Sequence, residues 1–306
     1  MGETHVGRYE LIDRIGEGGM GSVWRVRDLK SGEIVAAKVL RQSNADGLLR
    51  FIREQAVRIH HPHIIVPLGW AGDDDKVLFT MPLVTGGSLE VLIGDFGPLP
   101  PLFASEILRQ VLDALAAVHA AGVIHRDVKP SNILLEATGT GLPHAYLSDF
   151  GIAVDPTAPR LTVAGAIPGT PGYAAPELAR LADPSPATDL YAAGMVAIAM
   201  LTGGPPHPVT DEAPPPGCPP GLWELVGALT AVSPADRPEL AAARSALNAG
   251  ELAWHPEAIG DVEVFDQLPA TIPVAAQGSR PPWLLIGSTA VLLLGLILLL
   301  VGLLGG

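Results

Sequence analysis

Between residues 9 and 84, apolar positions come in short alternating or continuous runs broken by Gly and Asp: Tyr9 to Ile15, Ser22 to Arg27, Ile34 to Leu40, Ile64 to Trp70 and Val77 to Met81. Period-two runs of this length predict strands, and so a small strand-rich lobe. One helical pattern interrupts it between Gly47 and His60, where Leu48, Leu49, Ile52, Ala56 and Ile59 recur near helical spacing. From residue 87 onward the period becomes that of helices. Leu102 to Ala121 places Ile107, Val111, Leu115 and Val118 on one face and stops at Gly122, while Ala187 to Leu201 is apolar nearly all round and predicts a buried helix.

The last apolar run differs in length. From Trp283 to Leu304 there is no charged residue, and as a helix the run would span roughly 33 Å, enough for a hydrocarbon core of about 30 Å. This predicts a transmembrane helix over 283–304. Arg280 just before it and no charge after it place everything N-terminal in the cytoplasm, as a single-pass protein of the cell membrane. Only Gly305 and Gly306 would lie beyond, so no outer sensor is expected. Residues 253–282, acidic and proline-containing without periodicity, read as a tether between domain and bilayer. A homodimer through the anchor is compatible with this, although Gly287, Gly295 and Gly302 form no G-x-x-x-G pair.

Composition narrows the function. With 19 Lys and Arg against 32 Asp and Glu, the chain carries a formal charge of -13, which argues against nucleic-acid binding. Cys218 is the only cysteine, so no internal disulfide forms, as suits a reducing compartment.

The chemistry-bearing residues begin with Gly16-Glu17-Gly18-Gly19-Met20-Gly21 between two strand-like runs. Such a loop lets the backbone close over phosphates, but alone it is equally a tight turn. No G-x-x-x-x-G-K-[ST] run exists, so a P-loop NTPase has no support. Lys38 stands in a strand pattern where a cation needs a partner, and Glu54, mid-helix, is the candidate. The alternative is two solvated surface charges. His125-Arg126-Asp127-Val128-Lys129-Pro130-Ser131-Asn132 places a carboxylate, a cation and an amide on one loop, and Asp149-Phe150-Gly151 follows a short apolar run. His60, His61 and His63 invite a metal reading, but no fourth ligand has suitable spacing.

In this order and spacing the motifs resemble the eukaryotic-like (Hanks-type) serine/threonine protein kinases of bacteria, with an actinobacterial cast to the composition. The resemblance covers residues 8 to about 250. It implies an α+β bilobal protein-kinase fold, with N-lobe 8–84, C-lobe 85–252, then the linker and the transmembrane helix. It implies ATP, magnesium (or manganese in its stead) and protein substrates. Gly16, Gly18 and Gly21 would cover the phosphates; Lys38, oriented by Glu54, would contact them. Asp127 would accept the substrate proton, Lys129 would neutralise the transferring group, and Asn132 and Asp149 would bind the metal. Ile15, Val23, Ala36 and Leu134 would sandwich the adenine, with Met81 as gatekeeper and the main chain of Pro82 to Val84 along its edge.

By the same resemblance, Gly169 to Glu177 ends an activation segment, and Thr170 with Lys129 is a serine/threonine choice. Thr162, then Thr157, would be its phosphosites. Glu177 would pair with Arg237, and Asp189 would brace the catalytic loop. Two departures stand out: the Glu54 to Pro62 stretch looks short, with Arg58 where an apolar residue is expected, and the proline-rich run from Pro205 to Pro220 excludes a substrate-docking helix. The rival readings are a membrane-tethered pseudokinase scaffold and a small-molecule kinase.

Overall fold

A computed structural model describes residues 4–5, 7–18, 21–41, 59–73, 76–149, 170, 172–208, 213–248, 250–255, 257 and 260–268. Its first lobe is a six-stranded antiparallel sheet of β1 (Thr4–His5), β2 (Tyr9–Gly18), β3 (Gly21–Asp28), β4 (Ile34–Arg41), β5 (Gly69–Asp73) and β6 (Lys76–Met81), in the order β1-β2-β3-β4-β6-β5. Cross-strand partners share a face, so Val23 opposite Lys38, Ala36 opposite Met81, and Phe79 opposite Lys38 line one side. The alternate positions cluster on the other, where Tyr9, Val26, Ala37 and Leu78 are buried together with Trp24 and Val39 packed against them.

The run read as a strand from Ile64 to Trp70 divides in two. Pro67 has no N–H for a ladder, and the strand of the sheet starts only at Gly69. The preceding residues pair with the second lobe instead: Ile64 bridges Leu147, Ile65 N–H donates to the Leu147 carbonyl at 3.0 Å, and Leu147 N–H donates to that of His63 at 2.9 Å. This sews the first lobe to the second through backbone.

The second lobe is helical: α1 (Leu89–Phe96), α2 (Pro101–Ala120), α3 (Pro186–Thr202), α4 (Pro220–Leu229) and α5 (Leu240–Leu247), with a small hairpin of β7 (Ile133–Leu135) and β8 (Ala145–Leu147). The i, i+4 stripe of α2 is fully buried at Ile107, Val111 and Leu115, and α3 is buried from Thr188 to Leu201. Gly203 ends α3 with φ 71°, and a Cβ there would strike the backbone of Pro98. Residues 203–208 and 213–219 form no helix, in keeping with their prolines.

The segment read from sequence as a tether continues along the domain. Val262 and Val264 are buried, and Val264 exchanges both backbone hydrogen bonds with Gly139. Among the described residues no helix is long and apolar enough to cross a membrane, and the run 283–304 lies outside them.

Candidate active site

The loop after α2 carries the catalytic motif and is held from below by one carboxylate. Asp189, in the first turns of α3 and 1% exposed, accepts from the backbone N–H of His125 at 2.9 Å and of Arg126 at 2.8 Å. Those bonds fix Arg126 at φ 70°, a conformation an arginine does not adopt unaided. A second ligand of Asp189 was not anticipated from sequence: His119, in the last turn of α2, brings Nε2 to 2.7 Å from the same carboxylate. Its signal was the position of a lone histidine at the buried end of an amphipathic helix.

His125 is fully buried. Its Nδ1 accepts from the Asp127 N–H at 3.3 Å while Nε2 faces the Ser148 carbonyl at 3.1 Å, which makes Nε2 the protonated nitrogen of a neutral ring. Burial, partly opposed by Asp189, holds this imidazole below its ordinary value, in agreement with that neutral form.

On this support the reactive groups converge. Asn132, on the turn Pro130–Asn132, donates its side-chain amide to the Asp127 carbonyl at 2.7 Å and to Asp127 Oδ2 at 2.9 Å. Lys129 Nζ lies 2.9 Å from Asp127 Oδ2 and donates to Thr170 Oγ1 at 2.9 Å, and Thr170 donates in turn to Asp127 Oδ1 at 3.1 Å. The carboxylate is thus oriented at both oxygens yet a quarter exposed, as a base that meets a substrate hydroxyl must be. Lys129 adds a cation at the place where a transferring anionic group would gather charge.

The nucleotide side is built by the sheet. Strands β2 and β3 pair Gly16 with Val23 and Gly18 with Gly21, so these glycines lie on two paired strands and not between a strand and a helix as a dinucleotide site would need. Gly21 is required there, since a Cβ would collide with the carbonyl oxygen of Val39. Ala36, Lys38, Val23 and Met81 share the face described above, and Ile15 precedes the glycines on β2. Pro82 and Val84 directly follow β6, and Leu134 on β7 bridges Ser88 just past them. Lys38 Nζ reaches Asp149 at 2.7 Å across the cleft, and Asp149 has φ 54°. Glu54, Arg58, Thr157 and Thr162 lie outside the described residues, so the Lys38 to Glu54 pair and the phosphosites do too.

Asn132 and Asp149 offer oxygens only, which suits a hard divalent cation. Because the Asn132 amide nitrogen is committed to Asp127, its amide oxygen is the atom left for a metal, and the partly exposed Asp149 carboxylate has a second oxygen beyond the one facing Lys38. The residues fit magnesium.

Beside Asp127 a cleft is lined by Thr170, Tyr173, Ala174, Leu178 and Ala192, and Glu177 is buried in the adjoining turn Pro176–Arg180. Arg237, whose side chain is fully buried, holds Glu177 by two bonds of 2.6 and 2.8 Å and also donates to the carbonyls of Ala231 and Ala187. Burial pushes the Glu177 carboxyl up, but the bonds and charge of Arg237, a backbone hydrogen bond and the charge of Arg180 together outweigh it and leave the group below its ordinary value. The histidines at 61 and 63 have structural partners. His63 Nδ1 lies 3.0 Å from the Ala145 carbonyl, its ring stacks obliquely on His144, and His144 Nε2 faces the Pro62 carbonyl at 3.1 Å.

A family model described as the protein kinase domain matches residues 9–214. Among curated proteins the chain is similar to the serine/threonine-protein kinase PkaA of Streptomyces coelicolor, 36% identical over 259 residues that make up 76% of this chain and 48% of that protein. It is also similar to the serine/threonine-protein kinase pkn3 of Myxococcus xanthus, 37% identical over 79% of this chain and 50% of that one. A third is PknD of Mycobacterium tuberculosis, likewise a serine/threonine-protein kinase, 36% identical over 76% of this chain and 38% of that one. The chain matches half or less of the length of these relatives.

Proposed function

The chain belongs to the protein kinase domain family, and from that premise we propose that it transfers the gamma phosphate of ATP to serine or threonine hydroxyls of proteins. The observation that carries the reading is the arrangement at Asp127, whose two carboxylate oxygens are oriented by Asn132 and Thr170 with the Lys129 ammonium alongside. Asp127 accepts the proton of the incoming hydroxyl. Lys129 offsets charge on the phosphoryl group in flight, and Lys38 holds the phosphates that stay behind. Magnesium, when bound at Asn132 and Asp149, neutralises phosphate charge. The protein's own contribution is placement: the transferring group meets donors already fixed by Asp189 and by the β7–β8 hairpin, so little reorganisation remains at the moment of reaction.

Thr170 supports hydroxyl specificity, because it joins the base and the cation in one hydrogen-bonded set beside the peptide cleft. The run Gly169-Thr170 with Ala175-Pro176-Glu177, which in the family shapes a peptide-binding surface, disfavours the small-molecule reading. Retention of Lys38, Asp127, Asn132 and Asp149 disfavours the scaffold.

The finer reading extends to control and place. Thr162 would be autophosphorylated and paired to Arg126, ordering the segment before Thr170. The apolar run 283–304 would anchor the chain in a bilayer with the kinase domain on the cytoplasmic side, by the length and charge arguments given for the sequence.

Incubation of the full chain with labelled ATP, magnesium and a generic protein substrate tests the reading. Label on serine or threonine that vanishes in Asp127→Ala is the expected result. Nucleotide binding without any transfer would replace it with the scaffold.

A further inference from the structure

The second lobe contains a strap that the kinase family model, ending at residue 214, does not include. It runs from Gly260 to Leu268 and is attached at two places. At one, Val264 N–H donates to the Gly139 carbonyl at 2.9 Å and Gly139 N–H to the Val264 carbonyl at 2.8 Å, a closed antiparallel bridge in the loop between β7 and β8. At the other, Gln267 N–H donates to the carbonyl of Thr85 at 2.8 Å. Val262 at 4% and Val264 at 1% exposure show that the strap is packed and not merely laid on the surface.

Thr85 is the residue after Val84, on the chain that leaves the adenine edge. The next two residues are caught between the strap and β7. Gly86 N–H donates to the Leu135 carbonyl, and Leu135 N–H to that of Gly87, each at 2.9 Å. A Cβ on Gly86 would stand 2.6 Å from the Leu135 oxygen and 2.8 Å from Val264 Cγ1, so strap, hinge exit and β7 are in contact with no room to spare. A Cβ on Gly87 would meet the Gln267 side chain at 3.2 Å. Leu134, the residue beneath the adenine in the kinase reading, is the immediate neighbour of Leu135 on that strand. The strap therefore fastens the hinge exit to the strand that supplies the floor of the nucleotide pocket.

We infer that residues 262–267 are a positioning element of the nucleotide site, and that ATP affinity depends on their docking between Gly139 and Thr85. The inference rests on the kinase reading. Its physical content is preorganisation: an adenine edge whose exit is fixed in advance loses less freedom when ATP binds. The backbone just before Asp127 is anchored by Asp189 through His125 and Arg126, whereas the strap is attached at Gly139 and Thr85, so the strap acts on binding and not on the transfer step.

Three variants of the full chain test this, each measured for kcat, KM for ATP, melting temperature and the dissociation constant of a fluorescent ATP analogue. Gln267→Pro removes the single N–H to Thr85 and leaves the buried valines in place. Gln267→Ala keeps that N–H and serves as its rescue. Val264→Asp puts a charge where none can be buried and releases the strap. Expected is a rise of about 3- to 10-fold in KM and dissociation constant for Gln267→Pro and Val264→Asp, the size of one net hydrogen bond. kcat should stay within about twofold, and Gln267→Ala should match the parent chain. Unchanged nucleotide affinity in both Gln267→Pro and Val264→Asp overturns the inference, as does a loss of kcat and melting temperature without any change in affinity. A parent chain that binds no nucleotide at all overturns the kinase reading itself.

Discussion

The ammonium of Lys38 lies 2.7 Å from the carboxylate of Asp149, although the two are 111 positions apart in the chain. One comes from the third long strand of the first lobe and the other from the chain after β8, so this contact spans the cleft between the lobes. Lys38 is the less exposed of the two, at 15% against 41%, so the cation is set into the wall and the anion faces the opening. Phosphate and metal would each take over one partner of this pair. Lys38→Met is expected to reduce kcat/KM for ATP by about 100-fold or more, the scale of a lost charge-assisted contact to a reacting anion. Steady-state kinetics against ATP would check it, and a value within about threefold of the parent would remove Lys38 from the phosphate site.

Thr170 gives a sharper test because its hydroxyl both receives from Lys129 and donates to Asp127. Thr170→Val keeps the shape and removes both bonds, so kcat should fall about 10- to 100-fold with KM for ATP little changed. Thr170→Ser retains the hydroxyl and should recover most of the loss. Equal activity in the two variants would mean that the hydroxyl does not orient the base.

Much of this site was legible in the sequence, and the reason is local. The loop from His125 to Asn132 and the hairpin glycines are short stretches whose chemistry is complete within eight residues, and period-two and i, i+4 patterns placed β2 to β4, β6, α2 and α3 correctly. What stayed hidden depends on distant partners. Nothing in the run Ile64-Ile65-Val66 says that it pairs with Leu147 and not with the sheet. The strap was obscured by its own acids, since two buried valines among Asp261, Glu263 and Asp266 do not stand out from a solvated linker. His119 could be placed on a helix but not beside Asp189, because that meeting is made by the packing of α2 on α3.

Arg237 and Glu177 predict a stability effect without a direct catalytic one. The arginine side chain is fully buried, and removing it leaves the Glu177 carboxylate without its bidentate partner. Arg237→Ala should destabilise the domain by about 3 to 5 kcal/mol. Urea unfolding would measure it, and a loss under about 1 kcal/mol would mean the pair is replaced by solvent at little cost.

The histidines predict how stability changes with pH. Burial holds His61, His63 and His125 below the ordinary imidazole value of 6.5. In the unfolded chain they take up protons near pH 6.5, whereas the folded chain keeps them neutral to lower pH. The unfolded state then binds more protons, so stability declines as pH falls below about 6.5 and is level above about 7.5. Carboxylates held down by partners, such as Asp28 at about 2 beside Arg8, act only in a more acidic window. Melting temperature followed from pH 8 to pH 5.5 should show the decline, and a flat profile would contradict it.

On the kinase reading, Asp127 is the base of a phosphoryl transfer whose geometry is set before substrate arrives. The most direct test is kcat for transfer from ATP to a protein hydroxyl in Asp127→Asn, with ATP affinity measured in parallel on the same preparation. A loss of about 100- to 10,000-fold in kcat is expected, with nucleotide affinity kept within about threefold. Transfer at the parent rate by Asp127→Asn would contradict it, because the carboxylate held by Asn132, Lys129 and Thr170 would then have no part in the reaction.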